Sequence, residues 1–493
     1  MLMHKRFRLF STPATGPLGR FAPALLAVAL GLAMARSPAA VRPRHLPALP
    51  REVAAALKAA QVPPTALSAV VVPVEGGRAR LRYRGAVLRH PASVMKLFTT
   101  YAALDRLGPA FQWHTPVGLD GAVRDGVLHG SLYLQGRGDP SLVSERLWLL
   151  LTRVRDLGVR RIDGDIVIDH SAFQAPPQDP GEFDGEPLRP YNVAPDAFLV
   201  NFKSVLLRFT PLADGHTAQL AVEPALQGVT WPASVPMSDA PCNDWRHALD
   251  IDFSDVSHPR FRGALAAACG ASEWPLAWPE PQAYDALAVE AQWRALGGSL
   301  QGQVRSGDWP EGLKPSFDFT SPPLTQVVYD INKYSNNLMA RQLFLTLGLE
   351  VQGMGSLPAA RAVVQAQAAE RARCSADELV LDNGSGLSRS GATTADCLAR
   401  LLVSAWHSAV MPELLASLPV AGVDGTDRHA QQAVASAHLK TGSLRDVAAV
   451  AGIVLADSGR RYVVVGLIND EHAQSAREAL DALVGWAQHD RRR

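Results

Sequence analysis

A change of texture between residues 113 and 277 constrains the fold of this chain more than any other feature, because helical patterning stands on both sides of it. Upstream, two strand-like runs, Ser68–Pro73 and Ala79–Tyr83, flank the turn Glu75-Gly76-Gly77. Pro91 then precedes a helical run from about Ser93 to Leu107, which stops at the breaker pair Gly108-Pro109. Downstream, helical spacing returns in Tyr284–Leu296, Thr325–Tyr334, Asn337–Leu347 and Ala395–His407. The chain ends on a hairpin, Val447–Leu455 and Tyr462–Ile468 around Asp457-Ser458-Gly459, followed by a helix over Ser475–Gln488. Between the two helical parts, short alternating segments such as Ser131–Gln135 and Ile162–Asp169 read as half-buried strands. Turn-rich stretches interrupt them, above all Gln174–Pro190 with its five prolines. The expected fold is α/β (α+β): one domain over 45–112 plus 278–493, with an antiparallel sheet flanked by helices, split by a mostly β insert over 113–277. A further unit nested in the insert is expected at about 203–265.

Composition sets the class. At 493 residues the chain is too long for one ordinary domain, and 47% hydrophobic residues can fill a real core. With 48 basic against 47 acidic residues the formal charge is +1, which argues against a dedicated nucleic-acid binder. Residues 1–40 read as a signal peptide. Lys5, Arg6, Arg8 and Arg20 supply the positive region, Phe21 to Met34 is apolar, and the small residues Ala35, Ser37, Ala39 and Ala40 follow. That apolar stretch is short beside the roughly 20 residues of a membrane span. Cleavage would leave no stable span, and the expected location is the periplasm. Cys242, Cys269, Cys374 and Cys397 allow three pairings, and nearness along the chain favours Cys242–Cys269 and Cys374–Cys397. Four buried thiols are the alternative. No cysteine–histidine spacing points to zinc.

Three short motifs carry chemistry. Ser93-Val94-Met95-Lys96 opens an apolar helix, and a spacing of three puts both side chains on one face, roughly 5–6 Å apart at the β-carbons. A serine hydroxyl needs a base, and a lysine in a water-poor site loses enough basicity to serve as one. A helix-capping serine with a solvated lysine is the plain alternative. Ser335-Asn336-Asn337 falls in a break between helices, where a hydroxyl and an amide two residues apart can face one cleft or merely form a turn. Lys440-Thr441-Gly442-Ser443 leads into the terminal hairpin. There a lysine and a threonine can hold a carboxylate, and glycine permits close backbone approach.

Ser-x-x-Lys, Ser-x-Asn and Lys-Thr-Gly, in this order, form the signature of penicillin-binding proteins and class A β-lactamases. The chain resembles class C low-molecular-mass penicillin-binding proteins, the D-alanyl-D-alanine carboxypeptidase/endopeptidase family, over nearly all of its mature length. Further stretches similar to that family are Pro91-Ala92-Ser93 with Leu97–Leu104, Gly138-Asp139-Pro140-Ser141-Leu142, Ile162-Asp163-Gly164-Asp165, Asp382-Asn383-Gly384-Ser385-Gly386-Leu387-Ser388 and Asp424-Gly425-Thr426. Class A β-lactamases resemble it less, being shorter and without such an insert.

The resemblance implies a serine-type peptidase acting on peptidoglycan stem peptides and inhibited by β-lactams, with no metal or organic cofactor. Ser93 would attack the carbonyl of the penultimate D-Ala, with Lys96 as its base. Ser335, Asn337 and Lys440 would complete the hydrogen-bonded site. Thr441 would bind the terminal carboxylate, Gly442 would allow the strand to close on the site, and the N–H groups of Ser93 and Ser443 would hold the oxyanion. An acidic substrate contact in Gln174–Pro190 aligns poorly, with Asp184 and Glu186 as candidates. His438 shares a strand face with Lys440 but reads as a partly exposed strand histidine. His90 lacks the Gly-x-Ser-x-Gly elbow of a triad, and Trp231, Trp245, Trp274 and Trp278 read as a satellite core. Two rivals stand beside this reading: a β-lactamase or esterase with the same motifs, which would consume β-lactams, and a non-catalytic peptidoglycan-binding scaffold, which has no need of Ser93, Lys96 and Lys440 together.

Overall fold

A computed structural model of the chain describes residues 48–174 and 178–491. The expected signal peptide over 1–40 lies outside the described residues.

The central sheet is antiparallel throughout, in the order Leu81–Tyr83, Leu67–Pro73, Arg461–Asn469, Val447–Leu455, Ala437–Leu444. Its inner strands are almost continuously apolar, as in Val-Ala-Ala-Val-Ala-Gly-Ile-Val-Leu, because both faces are covered. Strand periodicity sends alternate residues to opposite cores. Ala449, Ala451, Ile453 and Val465 join the core built on the Lys96–Leu107 and Asn337–Gln352 helices. Val450, Val454, Val464 and Ile468 instead meet the Arg51–Ala59 and Arg477–Gln488 helices through Val53, Leu57, Leu480 and Leu483. Each such large side chain, fully buried, contributes roughly 1.5–3 kcal/mol. This is a mixed α/β architecture, as the sequence pattern implies.

The Lys96–Leu107 helix is buried on nearly every side, from Lys96 to Leu104, and ends where Gly108 takes φ +82°. Its interior hydroxyls are satisfied locally: Thr100 donates to the Lys96 carbonyl and Thr99 to that of Gly384. A buried polar group without a partner would cost stability, so these bonds let a helix of mixed composition sit at the centre.

The region after 113 builds its own sheets. His114–Arg124 and Val127–Gln135 form a hairpin around Asp125-Gly126, both residues at positive φ, as a tight two-residue turn demands. Ile166–Asp169 adds in parallel. A second, five-stranded sheet lies within residues 204–277. The first sheet does not stop at 277, where the sequence pattern ended the insert. Ser299–Leu300 and Val304–Ser306 pair in parallel with Arg161–Ile162 and Ile166–Asp169, and Phe317–Thr320 pairs with His114–Val117. Strands of two to four residues carry too few side chains to display a period, so they were invisible as strands.

Both disulfides form between the neighbours along the chain, Cys242–Cys269 and Cys374–Cys397. Trp245 stacks edge-on against Trp274 at 6.0 Å, and Trp231 against Trp278 at 6.5 Å, with Phe209, Phe253 and Phe261 around them. The four tryptophans thus pack into the core of the small sheet. Among the described residues no helix is long and apolar enough to cross a membrane.

Candidate active site

Ser93 sits in a 3₁₀ turn, Ala92–Met95, and the α-helix proper begins only at Lys96. Ahead of it Ala92 takes φ +46°, a conformation that costs a residue with a β-carbon roughly 1–2 kcal/mol. His90 holds this kink. Its Nδ1 accepts the Ala92 N–H at 3.0 Å, while Nε2 lies 2.9 Å from the Ser388 carbonyl, so the ring proton resides on Nε2. Burial, the first cause, holds His90 below the ordinary histidine pKa and favours that neutral form. Asn469 grips the His90 backbone from both sides, accepting its N–H at 2.7 Å and donating to its carbonyl at 2.9 Å. His90 and Asn469 therefore position Ser93, a role that residue spacing alone does not reveal.

Lys96 is wholly buried, and its Nζ has three neighbours: Ser93 Oγ at 2.9 Å, Asn337 Oδ1 at 2.5 Å and the Ser385 carbonyl at 2.7 Å. Among the described residues no carboxylate pairs with it. Burial first, then the charges of Lys440 and Arg341, drive its pKa well below the ordinary lysine value. A neutral amine has two N–H groups and one lone pair. Two of the three neighbours are carbonyl oxygens and can only accept. The lone pair is therefore left facing the Ser93 hydroxyl.

The Ser335–Asn337 break divides its labour. Asn336 caps the following helix by accepting the Met339 N–H at 3.0 Å, the turn role common for asparagine. Ser335 takes φ +58°, and that turn brings its Oγ within 2.9 Å of Lys440 Nζ, while Asn337 reaches Lys96.

Lys440 and Thr441 stand on the edge strand Ala437–Leu444. Lys440 is fully buried, and its Nζ also donates to the Thr441 carbonyl at 2.9 Å. Burial lowers its pKa to about 7, against a partly restoring pull from Asp427. Asp427 is itself raised to about 6, by burial first and then by Asp481. Gly442 lies against the Ser93 turn: a β-carbon there would come 2.6 Å from the Pro91 carbonyl and 3.2 Å from the Ser93 nitrogen. Thr441 Oγ1 is 2.9 Å from Thr426 Oγ1, and Ser443 is exposed, its hydroxyl donating to Gln474. Thr426 is brought there by Lys333, a buried cation that binds both oxygens of Asp424 at 3.0 and 2.9 Å. A cavity of about 240 Å³ opens beside Thr426, Asp427, Thr441 and Gly442. Another cavity, of about 500 Å³ beside Tyr101, Arg371 and Arg400, includes none of the motif residues.

The Asp382–Gly391 loop closes the site from a third side. Gly386 packs so tightly that a β-carbon would come 1.9 Å from the Ala92 carbonyl. Arg389 donates to the Phe183 carbonyl at 3.0 Å and lies 4.4 Å over its ring. The next residue, Asp184, accepts from Tyr191 Oη at 2.9 Å and Asn192 Nδ2 at 2.8 Å, whereas Glu186 faces solvent with Arg189. His438 bonds the Leu415 carbonyl and takes no part. The donor atoms of His170, Asp196 and Asp285 lie within 4.8 Å of one another, a spacing that could hold a cation. The ammonium of Lys203 already stands there, 2.6 Å from Asp196 and 2.9 Å from Asp285.

This arrangement agrees with what the chain is similar to. The model of the D-Ala-D-Ala carboxypeptidase 3 (S13) family matches residues 49–490. The chain belongs to that family, among the class C low-molecular-mass penicillin-binding proteins. It is 29% identical over 418 residues to a D-alanyl-D-alanine carboxypeptidase of Actinomadura sp. (strain R39), covering 78% of this chain and 74% of that protein. It is 26% identical over 400 residues to the D-alanyl-D-alanine carboxypeptidase DacB of Haemophilus influenzae, covering 78% and 82%. Penicillin binding protein 4 from Haemophilus influenzae shares the fold, with a TM-score of 0.71 at 23% identity over 88% of this chain and 99% of that one.

Proposed function

We propose that this chain is a serine D,D-peptidase that hydrolyses the D-Ala-D-Ala end, or the D-Ala crosslink, of peptidoglycan stem peptides through an acyl-enzyme on Ser93. The observation that carries the reading is the Lys96 amine, buried with no counter-ion among the described residues, with both N–H groups taken by carbonyl oxygens and its lone pair left for the Ser93 hydroxyl 2.9 Å away.

In the first half-reaction Ser93 Oγ bonds the carbonyl carbon of the penultimate D-Ala while Lys96 takes its proton. The N–H groups of Ser93 and Ser443 stabilise the oxyanion. The C–N bond then breaks as the leaving amine takes a proton from Lys440 through Ser335, and the proton that Lys96 accepted passes on to Lys440, which leaves Lys96 neutral again. In the second half a water replaces the amine: it bonds the acyl carbon and gives a proton to neutral Lys96, and the ester to Ser93 breaks as Lys96 returns that proton to Ser93 Oγ. Thr441, beside protonated Lys440, holds the terminal carboxylate of the substrate, and Asn337 contacts its amide while orienting Lys96. β-Lactams enter the same path because their ring amide mimics D-Ala-D-Ala. We further infer export to the periplasm through residues 1–40, where both disulfides form, and an organisation in which the sheets between about 113 and 320 are inserted into the catalytic domain.

Release of D-alanine from a pentapeptide ending in D-Ala-D-Ala is expected from the wild type and absent in Ser93→Ala. Release unaffected by that substitution would overturn the reading. The activity should depend on pH in a bell. Neutral Lys96 is required, so the rate rises with pH through the Lys96 ionisation. Protonated Lys440 is required, so it falls as pH rises through about 7. Asp427 supports the charged form of Lys440, so Asp427→Asn is expected to move the alkaline limb to lower pH, measured as kcat/KM against pH.

A further inference from the structure

The inserted region meets the catalytic helices at residues 193–203, and the contact falls on the helix that begins with Asn337. Leu338 packs with Val193, Leu199 and Ala277. One turn on, Gln342, wholly buried, accepts the Asp196 N–H at 2.9 Å and donates to the Asp196 carbonyl at 2.7 Å, as a backbone strand would. Arg341 donates to the Val193 carbonyl at 3.3 Å. Leu338, Arg341 and Gln342 are spaced by three and four, so one face of the first turns rests on this segment.

The segment is in turn anchored by buried charge. Asp196 takes His170 Nδ1 at 2.5 Å and Lys203 Nζ at 2.6 Å, and Lys203 reaches Asp285 at 2.9 Å. The same carboxylates also accept backbone N–H groups of the segment, Phe198 on Asp196 at 3.0 Å and Val200 on Asp285 at 3.1 Å. Lys203 and Asp285 are 5% and 1% exposed. A buried ion pair of this kind is weak as a source of stability, and its best-attested use is to fix one arrangement among several. Here the backbone also needs fixing. Asn201, Phe202 and Lys203 take φ of +43°, +57° and +47°, three successive residues with β-carbons in the left-handed region, which persists only when the surroundings over-determine it.

We propose that His170, Asp196, Lys203 and Asp285 are positioning residues of the inserted region that set the seat of the Asn337 helix, and through it the carbonyl that orients the Lys96 amine. The chain of contacts is continuous: Lys203 fixes Asp196, Asp196 fixes Gln342, and five residues earlier on the same helix Asn337 Oδ1 holds Lys96 Nζ at 2.5 Å. Lys203 also explains why this acidic pair and histidine need no metal, since its ammonium is the cation they enclose. The inference rests on the catalytic reading of Ser93, Lys96 and Asn337.

The test uses the full chain and compares acylation by benzylpenicillin, together with kcat and KM for D-alanine release, in the wild type and Lys203→Met. Thermal unfolding establishes that each protein is folded. A displacement of the helix by a fraction of an ångström to one ångström is expected to slow acylation about 10- to 100-fold. The loss should fall on kcat with KM little changed, because Lys203 touches no substrate. In an Asn337→Ala background Lys203→Met should have little further effect, since both act through one orientation. If Lys203→Met does not fold, Gln342→Leu cuts the link on the helix side, leaves the quartet intact and carries the same expectation. An acylated wild type beside folded variants that react equally fast, or losses that simply multiply, would overturn the inference alone. A wild type that takes no penicillin would overturn the catalytic reading and this inference with it.

Discussion

Lys96→Ala is expected to slow acylation of Ser93 by about 10²- to 10⁴-fold, the usual contribution of a positioned base, while leaving the protein able to fold. The size follows from the absence of a substitute. Lys96 Nζ is the titratable neighbour at hydrogen-bond distance from Ser93 Oγ, and the second lysine, Lys440, is bonded to Ser335 and the Thr441 carbonyl instead. The substitution also takes a donor from Asn337 Oδ1 and the Ser385 carbonyl, a cost of about 1–3 kcal/mol for each acceptor left unpaired, so thermal unfolding is measured beside activity. Lys96→Arg is expected to be no better than alanine. A guanidinium stays protonated and planar, so it offers no lone pair to the hydroxyl. Stopped-flow acylation at several pH values checks both. The wild-type acid limb, set by Lys96, should vanish in Lys96→Ala rather than shift.

Gly442→Ala is expected to cost about 10- to 100-fold in acylation with a small change in stability. The added methyl would meet the Pro91 carbonyl at 2.6 Å, the Ala92 β-carbon at 3.2 Å and the Ser93 nitrogen at 3.2 Å. None of these can swing aside, because two are backbone atoms and the turn is tied to Asn469 and Ser388 through His90. The edge strand must therefore retreat from Ser93, widening the space between the Ser93 and Ser443 N–H groups, to which the proposed mechanism assigns the oxyanion. The comparison that checks this is Gly452→Ala on the neighbouring strand. There a methyl meets the His438 carbonyl at 2.0 Å and should cost stability first, through the strand pairing itself.

What the sequence disclosed was chemistry carried by side chains in short spacings. Ser93 and Lys96, Ser335 and Asn337, and Lys440 through Ser443 each announce themselves locally, and the fold brings the three groups together across 105 and 241 residues. The helices and the long strands of the central sheet were legible because helical and strand periods differ, and these strands are long enough to show theirs. Four kinds of contact were not legible. Ser385 serves Lys96 through its carbonyl, which every residue possesses, so no side chain could mark it. His90 acts by holding Ala92 at positive φ, and nothing in the identity of Ala92 foretells that conformation. The short strands after 277 gave no period, so their pairing with the strands before 170 was not foreseen. The Lys203 quartet failed to surface for a related reason, since its members are separated by 7, 26 and 82 residues in the pairs that bind.

The central claim is that Ser93 forms a covalent acyl-enzyme, and intact-protein mass spectrometry after incubation with benzylpenicillin tests it most directly. Opening of the lactam ring releases no fragment, so the predicted result is a long-lived gain of one whole penicillin, absent in Ser93→Ala. An unmodified protein with the penicillin intact, or an adduct that survives in Ser93→Ala, would contradict the account. An unmodified protein that has consumed the penicillin would instead mark a β-lactamase.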